Sequence, residues 1–158
     1  MASKNRTRRT FLQATGTAAG AAAIAAALPA RAVHEGVDET LRVGLVGCGG
    51  RGTGAAIDAL AADPQTQLVA VGDAFQDRAE QCVADLKSNE QFGDRVVVQP
   101  DRIYSDFDNY KYVTDQCDVV ILATPPHFRP DHVAYAVEKG KHLFVEKPIA
   151  VDAPGVRS

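Results

Sequence analysis

The strand-like run Leu41–Val46 leads straight into Gly47-Cys48-Gly49-Gly50-Arg51-Gly52, four glycines in six residues. Glycine loses more conformational freedom on folding than any other residue, so a cluster at this point needs a backbone use. The spacing is a complete G-x-G-x-x-G. Between a strand and a helix, the first glycine of such a turn, Gly47, permits the tight bend. The second, Gly49, lets the backbone approach a pyrophosphate, and the third, Gly52, lets the helix pack closely on the sheet. Gly50 loosens the loop further, and Arg51 sits where unpaired helix-start N–H groups and the positive dipole end would meet phosphate. A plain tight turn matches the same pattern, so the surroundings decide.

Those surroundings repeat one alternation. Leu41–Val46, Leu68–Val71, Val96–Val98, Val119–Ala123 and His142–Val145 read as short apolar strands. Continuous rather than alternating apolar runs suit parallel strands buried on both faces. Helical stretches are expected between them at Gly52–Ala61, Gln76–Lys87, Asp106–Thr114 and Asp131–Lys139. Their apolar stripes are Ala56/Ile57/Leu60, Ala79/Val83/Leu86 and Val133/Ala136/Val137. Pro130 suits a first helical turn, and Gly140 suits the residue past a helix end. Strand–helix alternation with right-handed crossovers predicts an α/β fold, a doubly wound parallel sheet over residues 41–150. Ligands bind such sheets beyond the carboxyl ends of the strands.

Asp73 ends the second run, 21 residues past Gly52. A carboxylate there accepts hydrogen bonds from the adenosine ribose hydroxyls and repels a 2′-phosphate, which favours NAD over NADP. A helix cap or a solvated loop acid is the alternative for Asp73. Arg78 could reverse the preference towards NADP, stack on adenine, or be an exposed helix charge.

The first 32 residues differ in kind. They hold Lys4, Arg6, Arg8, Arg9 and Arg31 and no acid. A mild Ala-rich run from Ala14 to Leu28 and the small-residue stretch "ARA" follow, the order of an export signal. As a helix that run would be ~22 Å long, short of a ~30 Å hydrocarbon core, so stable membrane insertion is not expected. Thr7, Arg8, Arg9, Phe11 and Leu12 resemble the twin-arginine signal, with Gln13 where Lys is usual. The resemblance implies the twin-arginine translocase as a partner, periplasmic export, and a cofactor inserted before export; a basic tail binding nucleic acid or anionic lipid is the alternative. With cleavage after Ala32 and a linker over 33–40, the remainder carries 12 basic against 20 acidic residues. That balance disfavours nucleic acid as a partner. Cys48, Cys82 and Cys117 show neither zinc spacing nor a disulfide framework, and each is expected to pack as a small hydrophobe.

A second constellation is "ILATPPHFRPDH" followed by "EKGKHLFVEKPIAVDAPG". Gly47–Gly52, Asp73, Ala123-Thr124-Pro125 and Glu146-Lys147-Pro148 together resemble the glucose–fructose oxidoreductase/inositol dehydrogenase/rhizopine-catabolism (Gfo/Idh/MocA) family, from about Leu41 to Gly155. The resemblance implies that Ala123, Thr124 and Pro125 border the nicotinamide-side ribose. It places Glu146 and Lys147 between cofactor and substrate, with Pro148 after a cis peptide. Lys147 is the implied catalytic residue, hydrogen-bonding the cofactor ribose or the reacting hydroxyl of the substrate, where its cation would stabilise negative charge on a hydroxyl that becomes a carbonyl. Without the resemblance, Lys147 reads as an exposed loop lysine.

Two departures matter. Pro126 stands where the family often has Asn, and Arg129 stands where it has His; His127 and His132 are near but off that position. His127 is expected to line the cofactor cleft or to be solvated rather than to act as a base, and Arg129 to meet an acidic or hydroxylated substrate or to be a helix-start charge. The family also has a second α+β domain that supplies the substrate pocket and the assembly surface of a homo-oligomer. Residues 151–158 would begin the connection to it. The expected function is hydride transfer between NAD, or NADP, and a secondary alcohol of a sugar, polyol or inositol-like substrate. An NAD-dependent glycosidase and a non-catalytic nucleotide-binding module are the alternatives. No metal site is expected.

Overall fold

The computed structural model describes residues 40–157, within one compact unit spanning 39–158. The expected twin-arginine leader over 1–32 and all of the expected linker except residue 40 lie outside the described residues. Five strands, β1 (Leu41–Val46), β2 (Thr66–Asp73), β3 (Ile103–Ser105), β4 (Val119–Leu122) and β5 (His142–Val145), form one sheet in the order β3-β2-β1-β4-β5. Every pairing is parallel. The helices are α1 (Gly50–Ala62), α2 (Gln76–Lys87), α3 (Asn109–Gln116), α4 (Arg129–Glu138) and the short α5 (Ala153–Arg157). This is the doubly wound α/β sheet expected from the alternation.

Side chains of β1 sort the two faces. Val43 and Leu45 point to the layer of Ala56 and Leu60 from α1 and Ala79, Val83 and Leu86 from α2. Val46 points to the other layer, with Val113 from α3 and Ala136 from α4. Leu45, Leu60, Leu68, Leu86 and Leu122 are essentially inaccessible, each contributing about 2 kcal/mol relative to an exposed position. Between the two apolar residues of β1 sits Gly44, where a Cβ would lie 2.6 Å from Val113 Cγ1 and 2.9 Å from Cys117 Sγ. The missing side chain is what lets α3 close on the strand.

Chain ends of the elements follow local rules. Past α4, Gly140 has φ 65°, and its N–H donates to Val137 O while Lys141 N–H donates to Ala136 O, both at 3.0 Å. That pair of bonds satisfies two helix-end carbonyls and turns the chain into β5. At the same rim, Arg42 grips Asp118 through Nε and Nη2 (3.0 and 2.6 Å), tying the start of β1 to the start of β4. This pairing holds the Asp118 carboxyl below the usual carboxylate range.

Several expectations need correction. Val96–Val98 is not the third strand. Val96 makes one isolated bridge to Leu68, Pro100 then opens a 3-10 turn, and the chain pairs with the far end of β2 only at Ile103–Ser105. Proline cannot donate to a ladder, so the edge is broken there. α1 begins at Gly50 rather than Gly52, and α3 at Asn109 rather than Asp106. On α4, Val137 faces solvent, while Arg129 and His132 take buried places beside Ala136. β5 is not covered on both faces: His142 and Phe144 are exposed. No helix among the described residues is long and apolar enough to cross a membrane.

Candidate functional site

Ladder hydrogen bonds run one step past the strands at their carboxyl ends: Gly47 N–H to Gly72 O, Ala123 N–H to Val46 O, and Glu146 N–H to Leu122 O, at 2.8 to 3.0 Å. These bonds set the glycine turn, the turn after β4 and the loop after β5 side by side on one edge. A cleft of about 550 Å³ opens there. Gly47, Gly49 and Asp73 line one side of it, and Ala123, Thr124 and Pro125 another.

The glycine turn divides its labour. Gly47 has φ 98°, and a Cβ on it would lie 2.8 Å from Ala123 C and Thr124 N. On Gly52 a Cβ would fall 1.8 Å from Gly47 O. The fold itself requires these two. Gly49 and Gly50 differ, because a Cβ there meets nothing within 4 Å. Packing gives no reason for their bareness, whereas a ligand lying against the backbone does. The first intrahelical bond of α1 is donated by Thr53, to Gly49 O at 2.9 Å, which leaves the amides before it for a phosphate.

Asp73 ends β2 nearly buried. Its Oδ2 accepts from Cys48 N–H at 2.7 Å and its Oδ1 from Phe75 N–H at 3.1 Å. The carboxylate thus braces the glycine turn and still lines the cleft. Beside it the Arg78 guanidinium lies 4.8 Å from the centroid of the Phe75 ring, and both residues line the cleft.

Glu146 and Arg51, placed together at the cofactor on sequence grounds, pair with one another. Arg51 Nε donates to Glu146 Oε1 at 2.7 Å, and Nη2 reaches the same oxygen. The guanidinium holds the Glu146 carboxyl below its ordinary range. Neither borders the 550 Å³ cleft; the pair fastens the start of α1 to the end of β5. Lys147 follows, exposed, with a cis peptide to Pro148. His127 is exposed, its ring edge-on to Phe128, and it too is outside the cleft lining.

Arg129 is not an exposed helix-start charge; it lines the cleft. It is 5% exposed; Nε donates to Thr124 O at 2.8 Å, and Nη1 donates to the carbonyls of Glu146 and Pro148. One buried guanidinium therefore clasps the turn after β4 to the loop after β5. His132, a turn further along α4, lines the cleft, stacks on Tyr110 with centroids 4.1 Å apart, and has Nδ1 3.3 Å from Thr124 Oγ1. Burial pushes its pKa down to about 4, so the ring is neutral at pH 7.

Sequence reasoning missed the aromatic rim. Phe75, Phe107 and Phe128 all line the cleft, and Phe107 is 5.9 Å from Phe128, centroid to centroid. Its loop carries Asp106 at φ 103°, with Asp106 O accepting from Asn109 Nδ2. A phenylalanine in each of the loops after β2, β3 and β4 was the available signal. Among the described residues, no group of three or more His, Cys, Asp or Glu could hold a metal ion.

A bare glycine turn, a braced acid and a cleft at the crossover point of a parallel sheet define a dinucleotide-binding domain, and the residues present fit that ligand. Residues 41–157 match the family described as oxidoreductases with an NAD-binding Rossmann fold. The chain belongs to this Gfo/Idh/MocA family, which makes NAD the cofactor class. It is 34% identical over 115 residues to a glycosyl hydrolase family 109 protein of Streptomyces coelicolor, covering 72% of this chain and 23% of that one. To the scyllo-inositol 2-dehydrogenase (NAD(+)) of Bacillus subtilis it is 30% identical over 116 residues, covering 73% and 30%. A solved 3-ketoreductase from Actinomadura kijaniata, in complex with TDP-benzene and NADP, superimposes with a TM-score of 0.53 at 27% identity, covering 74% and 33%. The chain thus spans under a third of the length of these relatives.

Proposed function

We propose that this chain is the cofactor domain of an exported oxidoreductase that transfers a hydride between NAD and a secondary alcohol of a sugar, polyol or inositol-like substrate. The observation that carries it is the glycine turn with Gly49 and Gly50 facing open space above a cleft bordered by Asp73. The scyllo-inositol dehydrogenase relative supports the substrate class. The basic, Ala-rich leader supports export through the twin-arginine translocase to the periplasm.

Bound nicotinamide supplies the hydride acceptor or donor. The chain supplies the rest. Amides at the start of α1 bind the pyrophosphate, and Asp73 accepts from the adenosine ribose. The Arg51–Glu146 pair and the Arg129 clasp hold the loop after β5 from two sides, which fixes the backbone from which Lys147 projects. Its ammonium would donate to the reacting hydroxyl, stabilising negative charge on oxygen as the hydroxyl proton passes to a base that the second domain would supply. The remaining substrate contacts, and homo-oligomer contacts, would come from a second domain.

Titration of full-length protein with NAD and NADP tests the site. NAD is expected to bind more tightly, and Asp73→Ala to weaken it at least tenfold; unchanged affinity removes Asp73 from the site. The glycosyl hydrolase family 109 relatives favour a second reading, a glycosidase that uses NAD in a transient oxidation. A sugar panel separates the two: net NADH formation marks the dehydrogenase, and aglycone release without net NADH marks the glycosidase. Tight NAD binding with neither reaction marks a non-catalytic binding module.

A further inference from the structure

The aromatic rim of the cleft has no part in the chemistry above, yet its rings are ordered. Tyr110 of α3 stacks on His132 of α4 with centroids 4.1 Å and planes 18° apart. His132 lies 6.3 Å from Phe128 at 20°, and Phe128 lies 5.9 Å from Phe107 at 30°. These rings step from the contact of α3 with α4 out to the cleft. At the inner end Tyr110 meets the edge of the Tyr135 ring at 5.6 Å. At the outer end Phe107 lines the cleft and is 71% exposed, so the series stops on a ring largely open to it.

The presentation of that ring is held in place. Asp106, just before it, has φ 103°, a backbone that residues other than glycine adopt rarely. Asp108 N–H donates to Asp106 Oδ1 at 2.7 Å, and the buried Asn109 donates from Nδ2 to Asp106 O. β2 leaves room for this asparagine, since a Cβ on Gly72 would lie 2.6 Å from its Oδ1. An uncommon backbone maintained by a buried side chain, in a loop at a cleft, argues that the side chain it presents has a use.

We propose that Phe107 is the base platform of the dinucleotide site: the adenine ring lies on its open face and continues the stack. This rests on the cleft being a dinucleotide site.

Sheet order says which base belongs there. The glycine turn follows β1, the middle strand; Phe107 follows β3 at one edge, and Lys147 follows β5 at the other. A dinucleotide with its pyrophosphate at the turn therefore sends one base towards Phe107 and the other towards Lys147. Asp73, the acid for the adenosine ribose, pairs in register with Ser105, two residues before Phe107, and lines the same cleft, whereas Lys147 does not. The adenine is thus the base at Phe107, and the reacting nicotinamide is directed to the loop after β5. Phe75, from the loop after β2, lines the cleft as well, with the Arg78 guanidinium 4.8 Å from its centroid. Phenyl rings and a guanidinium are flat surfaces suited to the π-face of a purine. Stacking of this kind holds a base without reading its edge.

The chain contains no tryptophan, so Phe107→Trp introduces a single indole reporter at the platform. In the full chain, ADP-ribose should quench its emission saturably, and nicotinamide mononucleotide, which lacks the adenine, should not. By calorimetry Phe107→Ala should bind ADP-ribose about tenfold more weakly than wild type, and Phe107→Tyr should bind like wild type. The side chain is mostly exposed, so both variants should keep the wild-type melting temperature, and the fluorescence arm does not depend on the alanine variant. Wild-type affinity in Phe107→Ala, or an indole indifferent to saturating ADP-ribose, overturns the platform and leaves the cofactor site standing. Quenching by nicotinamide mononucleotide but not by ADP-ribose puts the other base there and overturns the proposal too. Failure of the wild type to bind ADP-ribose overturns the cleft reading itself, and the platform with it.

Discussion

Gly49 and Gly52 stand three residues apart in the same turn, yet substitution should separate them. At Gly52 an added Cβ would drive into Gly47 O. Backbone cannot yield cheaply, so Gly52→Ala should cost about 3 kcal/mol or more and lower the melting temperature sharply. At Gly49 the Cβ enters open space, and the backbone (φ −73°, ψ 176°) suits alanine. Gly49→Ala should stay within about 1 kcal/mol of wild type and lose NAD affinity at least tenfold, read by calorimetry. A stable Gly49→Ala protein with wild-type affinity would remove the pyrophosphate from that turn. Lys147 offers a similar separation. It is exposed, so Lys147→Met should leave the melting temperature unchanged while turnover of full-length enzyme falls about 10²-fold.

Among the elements, those whose evidence lies in short-range pattern were legible. The glycine turn, Asp73 at the end of β2 and the Gly140 stop of α4 sit where spacing placed them, and at Gly47 and Gly140 a positive φ is what demands the residue type. β3 was not legible. Val96 and Val98 are genuinely buried, but their burial comes from packing beneath α2 with a single bridge from Val96 to β2, and the pairing strand is the less apolar Ile103–Ser105. α4 was misread for a related reason. Its covered face includes Arg129 and His132, polar residues whose partners are backbone carbonyls and rings from distant elements, and no local pattern encodes those. Arg129 holds the ends of β4 and β5 together with one guanidinium. Arg129→Ala would leave the Thr124, Glu146 and Pro148 carbonyls short of a donor and should destabilise the protein by about 3 kcal/mol. Arg129→Lys should recover only part, since one ammonium cannot reproduce the planar fork. Thermal denaturation checks both, and a loss below about 0.5 kcal/mol for the alanine variant would show the clasp to be incidental.

For the whole molecule the first loss of stability on acidification should come from one histidine. His132 is buried against the Tyr110 ring, the Phe128 ring and the Thr124 hydroxyl, with the Asp131 carboxylate as the charge acting on it. Burial outweighs the attraction of Asp131, and the pKa falls to about 4 from an unfolded value of about 6.5. Between those values the unfolded chain binds a proton that the folded one refuses, so stability rises with pH across this window. Above about 6.5 the neutral ring imposes no such penalty. On acidification, stability should decline from about pH 6.5 and level off, as far as this group is concerned, near 4, for a total of about 3 kcal/mol. The carboxylates act lower. Glu146 is held below its ordinary range by Arg51, and Asp118 by Arg42. Their contributions are present above the unfolded carboxylate values and are lost only as pH falls through the depressed folded ones. The two kinds of group therefore separate on the pH axis. Urea unfolding at intervals between pH 7.5 and 4 should show the slope in wild type, and His132→Gln should flatten it between 6.5 and 4.5 while leaving the steeper loss below. A variant with the wild-type slope would mean that His132 is protonated in the folded protein, and the neutral, stacked ring at the cleft wall would have to be abandoned.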